Sequence, residues 1–143
     1  MLRPDPVRSP LILDDSIKME VRFIPKSLDF FPREGDWTSS KRIFLFNFQN
    51  HPEGLDLSLY LGPGKADLRK RIYDAAQGNH VAFNKAKRKF TDVWFCLYKK
   101  NFLKKDQAED LSIDELRNLL KEKFASFKLL DLPVIENELF KLK

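Results

Sequence analysis

The acidic side chains of this sequence lack the spacing that metal-dependent cleavage of a phosphodiester requires. One widespread arrangement uses carboxylates that hold the metal ion, with a lysine two positions after one of them that orients water or stabilises the developing charge. None of the 21 Asp and Glu residues is followed by Lys two positions later. The sequence therefore predicts no catalytic site of this class.

Metal ligands and nucleophiles are also sparse. His51 and His80 are the only histidines, and Cys96 is the only cysteine. This set is too small for most zinc sites. No Ser or Cys stands in a recognisable local signature beside a base, as nucleophilic catalysis would require. We therefore expect no catalytic residue, no metal and no cofactor in this chain, which is predicted not to be an enzyme.

A short glycine-containing segment could bind an anion. Gly62 and Gly64 flank Pro63 between a predicted strand and a predicted helix, and Lys65 follows. Free N–H groups at the start of a helix attract anions, although the spacing of a P-loop is missing here. Gly62 and Gly64 are thus a candidate anion-binding turn, and the alternative is a tight connection between strand and helix.

Positive charge is concentrated in the middle of the chain. Residues 65–105 contain twelve Lys or Arg and three Asp, a local net charge of +9, whereas the whole chain has +5. A basic surface of this kind attracts phosphate groups. The candidate nucleic-acid contacts are Lys65, Arg69, Arg71, Lys85, Lys87, Arg88, Lys89, Lys99 and Lys100.

Aromatic residues are interleaved with these cations. Trp94 and Tyr98 alternate with apolar residues on a predicted strand, so both should lie on the same face of it. They are candidate surfaces on which nucleic-acid bases could stack. The alternative for the whole stretch is a solvated basic face that covers core aromatics.

The elements that position these residues follow from the hydrophobic pattern. Two strand-like runs flank turn residues 50–54 and predict a β-hairpin, which we expect at the centre of the sheet. One helix is predicted between the hairpin and the basic loop, and Ser112 with Glu115 forms a capping box that opens a second. The predicted strands lie at residues 19–24, 43–49, 55–61 and 92–99, and the predicted helices at residues 65–77, 113–127 and 134–142.

The order of these elements predicts an α+β fold. It consists of a small antiparallel or mixed sheet with a central hairpin, one inserted helix and C-terminal helices packed on the sheet. Residues 1–17 are predicted to be an extended N-terminal arm or linker remnant, and residues 18–143 a single domain. No apolar run is long enough for a signal peptide or a membrane span, so a cytoplasmic protein without a membrane partner is expected.

Several short motifs occur in an order that resembles a known group of proteins. From residue 21 to residue 142 the chain is similar to the C-terminal region of bacterial proteins of the PD-(D/E)XK nuclease superfamily. The residues that carry the resemblance are Trp37-Thr38-Ser39-Ser40, Phe46, Phe48, Leu57, Leu59, Leu61-Gly62-Pro63-Gly64, Arg69, Lys87, Lys89, Trp94, Tyr98, Phe102-Leu103 and Asp131-Leu132-Pro133.

The resemblance implies an accessory domain that follows a nuclease core and acts with it on nucleic acid, in defence against foreign DNA. The catalytic carboxylates and lysine of that superfamily match no position here, so an upstream nuclease domain is an expected partner. The function predicted is non-catalytic, non-specific binding of the nucleic-acid backbone. The alternative is a protein-interaction, dimerisation or sensor module that regulates a separate catalytic domain through the Trp37 loop and the terminal helices. The sequence predicts no oligomeric state.

Overall fold

Five antiparallel strands form one sheet in the computed structural model, which describes residues 10–143. Their order in space is the same as their order in the chain. The α+β class and the central hairpin predicted from the sequence are confirmed, because β3 and β4 pair with each other and have neighbours on both sides. The strands are β1 (Leu11–Leu13), β2 (Glu20–Pro25), β3 (Phe44–His51), β4 (Gly54–Leu61) and β5 (Phe95–Lys104).

A two-residue turn closes the hairpin. His51 at the end of β3 pairs with Gly54 at the start of β4. Gly54 has a φ of 144°, a backbone conformation that residues with a Cβ rarely adopt. A Cβ there would also lie 2.0 Å from the carbonyl oxygen of Leu103. Glycine is therefore required both by the turn and by the close approach of β5.

Four helices complete the domain. They are α1 (Ala66–Gln77), α2 (Lys105–Glu109), α3 (Ile113–Ser126) and α4 (Leu132–Phe140). A π-helical turn (Phe127–Asp131) joins α3 to α4, between the two helices predicted at residues 113–127 and 134–142. The capping box is present, since Ser112 Oγ accepts from the Glu115 amide and Glu115 Oε1 accepts from the Ser112 amide. The short α2 was not predicted.

Aromatic rings join the helices to one face of the sheet, here called the helix face. It carries alternate residues of β3 and β4, namely Phe44, Phe46, Phe48, Leu57 and Leu59. Phe127 packs edge-on against Phe46 with ring centroids 5.5 Å apart, and Phe124 packs 5.6 Å from Phe48. Only the C-terminal part of α3 is anchored in this way. Ile113, the first residue of α3, is 77% exposed.

Two segments differ from the sequence-based boundaries. β5 extends to Lys104, and its pairing with β4 contains two irregularities, one between Leu55 and Asp56 and one between Leu59 and Tyr60. Within the predicted arm, β1 pairs with β2 as the edge strand of the sheet. Residues 1–9 of that arm lie outside the described residues. No helix in residues 10–143 is long and apolar enough to cross a membrane.

Candidate functional site

The face of the sheet opposite the helices carries a groove, here called the aromatic groove. Strand alternation places polar side chains of β2, β3 and β4 on this face, where two tryptophans from outside the strands join them. The cavity has a volume of about 320 Å³. The groove is lined by Glu20, Arg22, Trp37, Asn47, Gln49, Tyr60 and Trp94.

Trp37 is held over the sheet by the turn between β4 and α1. The Asp36 amide donates to the Pro63 carbonyl at 2.8 Å, and the Lys65 amide donates to the Glu34 carbonyl at 3.0 Å. A Cβ on Gly62 would lie 2.8 Å from Cε3 of the Trp37 indole. The absence of a side chain at residue 62 therefore makes room for Trp37.

The candidate anion-binding turn packs against the loop that precedes Trp37. The Lys65 amide, one of the groups expected to meet an anion, already has the Glu34 carbonyl as its acceptor. A Cβ on Gly64 would lie 2.6 Å from that same carbonyl oxygen. The Lys65 amide is therefore not free to bind an anion, and the anion-binding role of Gly62 and Gly64 stays a prediction.

Arg69 fixes the position of Trp94. Its side chain is buried, with only 3% of the residue exposed, and its guanidinium donates to three carbonyl oxygens. Nε donates to Gly62 at 2.8 Å, and the two terminal nitrogens donate to Thr91, at 2.9 Å, and to Val93. The prediction that Arg69 contacts phosphate is wrong, because its side chain is buried and each of its three guanidinium nitrogens donates to a backbone carbonyl.

The three rings of the groove meet at right angles. Trp37 lies 6.4 Å from Trp94 and 6.3 Å from Tyr60 between ring centroids, with interplanar angles of 81° and 87°. Arg22 places its guanidinium carbon 5.3 Å from the centroid of Trp37. Trp94 is 51% exposed. A large part of its indole surface is therefore open to a ligand, as the stacking prediction for this residue requires.

Tyr98 lies on the other face of the sheet. It is 3% exposed, its hydroxyl donates to Asp131, and its ring packs 5.9 Å from Phe127. The irregularity in β5 explains the difference from Trp94, because Tyr60 pairs with Cys96 whereas the preceding Leu59 pairs with Tyr98. The strand thus contains an extra residue that reverses the alternation. The prediction that Tyr98 stacks on bases is wrong.

Lys99 and Lys100, which follow Tyr98, also lie on opposite faces of the sheet. Lys100 Nζ lies 3.5 Å from Asp131 Oδ2 on the helix face, and Lys99 Nζ lies 3.6 Å from Asp56 Oδ2 on the opposite face. Burial raises the pKa of the Cys96 thiol, and the positive charges of Lys99, Arg88 and Lys85 act in the opposite direction. The positive charges of three cations from two parts of the chain therefore act on one thiol near the start of β5.

The other cations that were predicted to contact nucleic acid differ in their surroundings. Lys87, Arg88 and Lys89 are exposed and form no salt bridge with any acid of residues 10–143. Lys65 lies 3.7 Å from Glu34, and Arg71 donates to the Leu142 carbonyl at 3.2 Å. The cations of the loop before β5, together with Lys99 on the groove side of β5, are here called the basic strip. They are Lys85, Lys87, Arg88, Lys89 and Lys99.

The polar strand residues at the base of the aromatic groove, here called its floor, were not predicted from the sequence. They include Arg22, Asn47 and Gln49. Asn47 is 2% exposed, and its Oδ1 has no hydrogen-bond partner among the described residues. The alternation of β3 and β4 could have placed Asn47 and Gln49 on one face with Tyr60, which pairs with Leu45 of the same face. No motif in the sequence indicated that Trp37 would close this face.

A partly buried ion-pair cluster fixes the loop that carries Trp37. Arg42 donates to both carboxylate oxygens of Asp29 at 2.9 Å and to Asp14 at 2.8 Å. The hydrogen bonds from Arg42 hold the pKa of Asp29 below its usual value despite partial burial. Burial opposes ionisation of Asp14, but hydrogen bonds from Ser40 and Arg42 outweigh it and lower its pKa. Both carboxylates are therefore ionised partners of the arginine at neutral pH.

A metal site is not among the features of the described chain. Residues 10–143 contain no cluster of three or more His, Cys, Asp or Glu that could hold an ion. His51 instead bonds to Asp56 at 2.7 Å beside the hairpin turn.

Comparison with known proteins gives no relative. No protein-family model matches the sequence, and neither the curated proteins nor the solved structures contain a match.

Proposed function

We propose that this chain is a non-catalytic nucleic-acid-binding domain that contacts the phosphate backbone through the basic strip. The observation that carries the proposal is the set of exposed cations at Lys87, Arg88 and Lys89, which have no acidic partner among residues 10–143. Unpaired cations can release counterions from nucleic acid without first breaking an ion pair, and this release drives binding. Such contacts position the backbone without reading sequence.

The surroundings of the strip support the same proposal. The positive charges of Lys99, Arg88 and Lys85 act on the Cys96 thiol, and Cys96 pairs with Tyr60 of the aromatic groove. Cations next to an open aromatic surface are typical of proteins that bind single-stranded nucleic acid. The resemblance to the accessory region of PD-(D/E)XK nuclease superfamily proteins is consistent with this role, in which a separate nuclease domain would act on the bound strand.

A charge-reversal variant tests the proposal. We expect the triple variant Lys87→Glu, Arg88→Glu, Lys89→Glu to bind labelled oligonucleotides more weakly than wild type, whatever their sequence. On single strands the slope of log affinity against log salt should flatten by roughly 0.7 for each phosphate that the variant no longer binds. Fluorescence anisotropy at several salt concentrations measures both quantities, beginning at low salt.

The matched control reverses three charges elsewhere. Lys70, Arg117 and Lys141 lie on or at the end of α1, α3 and α4 with side chains 63%, 63% and 69% exposed, so Glu at these positions should not disturb packing. This control changes the net charge by the same amount and should keep most of the affinity and the salt slope. Equal decreases of affinity in the two variants, or no binding by wild type at low salt, would overturn the proposal.

A second candidate function is favoured by a different surface. On the helix face an apolar groove of about 660 Å³ remains open between α3 and the sheet. Its apolar lining is Val21, Phe48, Leu55, Phe102, Leu120, Phe124 and Ala125, and three cations line it with them, Arg117, Lys121 and Lys128. Apolar grooves beside helices commonly hold a helical segment of another protein. The second candidate is therefore a docking site for a protein segment with an apolar face and acidic flanks.

Designed peptides test this alternative. An amphipathic helical peptide with a leucine face and glutamate flanks should bind wild type and lose affinity in Leu120→Glu, while a version with lysine flanks should bind more weakly. Isothermal titration calorimetry measures the three affinities. Equal affinity for both peptides, or no effect of Leu120→Glu, would rule out this site. Failure here leaves the nucleic-acid proposal unaffected, because the two surfaces lie on opposite faces of the sheet.

A further inference from the structure

The floor of the aromatic groove contains a donor and an acceptor without partners. Asn47 Oδ1 and Arg22 Nε are both buried, and neither has a hydrogen-bond partner among the described residues. Buried polar atoms are nearly always paired, and an unpaired one destabilises the folded state. A ligand that supplied the missing partners would remove this cost, which the free protein bears.

These two atoms belong to neighbouring positions. Arg22 on β2 pairs directly with Asn47 on β3. Side chains of directly opposed residues on antiparallel strands begin about 4.5–5.5 Å apart. The floor therefore presents a donor beside an acceptor, and the complementary ligand edge has an acceptor beside an N–H donor. The edges of nucleobases have this arrangement, and Asn side chains commonly recognise them.

The walls of the groove suit a flat, uncharged ring. Neither Trp94 nor Tyr60 is stacked face to face on Trp37, since Trp37 is nearly perpendicular to both. Glu20 and Arg22 neutralise each other through an ion pair of 2.6 Å. The volume of about 320 Å³ is at the small end of the range for ligand pockets, roughly 300–1,000 Å³.

The charge next to the groove suits the rest of a nucleotide. Cys96 pairs with Tyr60 across β4 and β5, and Lys99 Nζ lies 3.6 Å from Asp56 Oδ2 on the same face. The positive charges of Lys85 and Arg88 also act on the Cys96 thiol. A ring held between Trp94 and the sheet would thus have its phosphates on the side of the basic strip. A base in a duplex is stacked and paired, so only an unpaired base can enter such a groove.

We infer that the aromatic groove binds one unpaired nucleobase, whose edge pairs with Asn47 Oδ1 and Arg22 Nε while its ring contacts Trp94. This inference rests on the proposed function and adds to it a base-binding step that phosphate contacts alone do not provide. The chain then prefers single strands over duplexes, and part of its affinity is independent of salt.

The two tryptophans make this step directly observable. Trp37 and Trp94 are the only tryptophans of the chain and both line the groove, so intrinsic tryptophan fluorescence reports on its occupancy. A short single-stranded oligonucleotide should change this fluorescence and bind several-fold more tightly than an abasic oligomer of equal length. The abasic oligomer keeps the phosphates, so it should bind through the basic strip and leave the fluorescence unchanged.

The outcomes separate the inference from the proposed function. Equal affinities for the two oligomers, with no change in fluorescence, would overturn base binding and leave phosphate binding intact. Binding of neither oligomer would overturn both. Duplex DNA that changes the fluorescence as much as the single strand would contradict the requirement for an unpaired base.

Substitution of the floor provides a second test. Asn47→Leu keeps a similar volume and removes the unpaired acceptor, so thermal unfolding should occur at an unchanged or higher temperature. The same variant should lose the preference for the oligonucleotide over the abasic oligomer. Trp94→Ala, at a position 51% exposed and outside the core, should have the same effect on binding, and Val81→Ala, 90% exposed and outside the groove, should have none. A full preference retained in both Asn47→Leu and Trp94→Ala would overturn the inference.

Discussion

At the scale of single residues, the position of Trp37 depends on the absence of a side chain at residue 62. The nearest atoms to a Cβ at Gly62 all belong to the Trp37 side chain, at 2.8 to 3.3 Å. The backbone at Gly62 requires no left-handed φ, because Gly54 is the glycine of the described chain with a positive value. Steric contact with the indole is therefore the reason for glycine here.

We predict that Gly62→Ala displaces Trp37 and weakens the preference for single-stranded over abasic oligomers. Overpacking of this kind costs roughly 1–3 kcal/mol of the free energy of unfolding. Urea unfolding and the tryptophan emission spectrum measure the two effects.

The chain supplies a matched control at Gly78, the C-cap of α1. This residue has a helical φ of −74°, and a Cβ there would meet only an ordinary contact, 3.4 Å from the Ala75 carbonyl oxygen. Gly78→Ala should be neutral or stabilising by about 0.4–1 kcal/mol, because it restricts the unfolded chain. Identical behaviour of the two alanine variants would show that Trp37 does not need the space at residue 62.

Arg69 shows how a charged residue in a basic stretch can have a purely structural position. Its type and its place on a predicted amphipathic helix indicated a surface cation. In the structure the guanidinium lies between the end of β4 and the segment before β5, with Phe90 4.8 Å from it. Only the fold, which brings three carbonyl groups to one point, distinguishes this arginine from its exposed neighbours. Local sequence does not contain that information.

At the scale of elements, the strands of the hairpin were predictable and the register of β5 was not. The alternation of apolar residues in β3 and β4 determines which side chains face the core, because one face of each strand must be buried. β5 has the same alternation, but an extra residue near Leu97 changes the face of Tyr98. A bulge depends on the partner strand, so the period of a single strand does not reveal it. For this reason Trp94 and Tyr98, which were both predicted to stack on bases, lie on opposite faces of the sheet.

The loop that carries Trp37 should respond to acid. Asp14 and Asp29 have lowered pKa values in the folded protein. Their contribution to stability is complete above the pKa of the unfolded chain, about 3.9 for Asp, and is lost as the pH falls through the lower folded values. We predict that the free energy of unfolding decreases below about pH 4.

Asp29→Asn separates this cluster from the other acids of the chain. The variant should be less stable than wild type at neutral pH, because Arg42 loses the carboxylate that it contacts with Nε and one terminal nitrogen. It should also lose less further stability in acid. Urea unfolding of both proteins across the acidic range measures the difference, and parallel pH profiles would show that the cluster does not stabilise the loop.

At the scale of the whole molecule, the two candidate binding grooves lie on opposite faces of the sheet. The excess of positive charge in residues 65–105 was visible in the sequence, but its distribution was not. Lys99 and Lys100 are adjacent in the chain and form ion pairs on opposite faces, and Arg69 is buried. What remains beside the aromatic groove is the basic strip, while the helix face carries the apolar groove. The two proposed functions therefore predict contacts at different places.

The most direct test is the position of a bound oligonucleotide on the protein. In ¹⁵N–¹H correlation spectra, a saturating short single strand should shift both indole N–H signals, from Trp37 and Trp94, and the backbone amides of residues 85–89. Amides of residues 113–126, on α3, should not change. Shifts confined to α3 and the strands beneath it, or no shifts at low salt, would contradict the account of this chain as a nucleic-acid-binding domain.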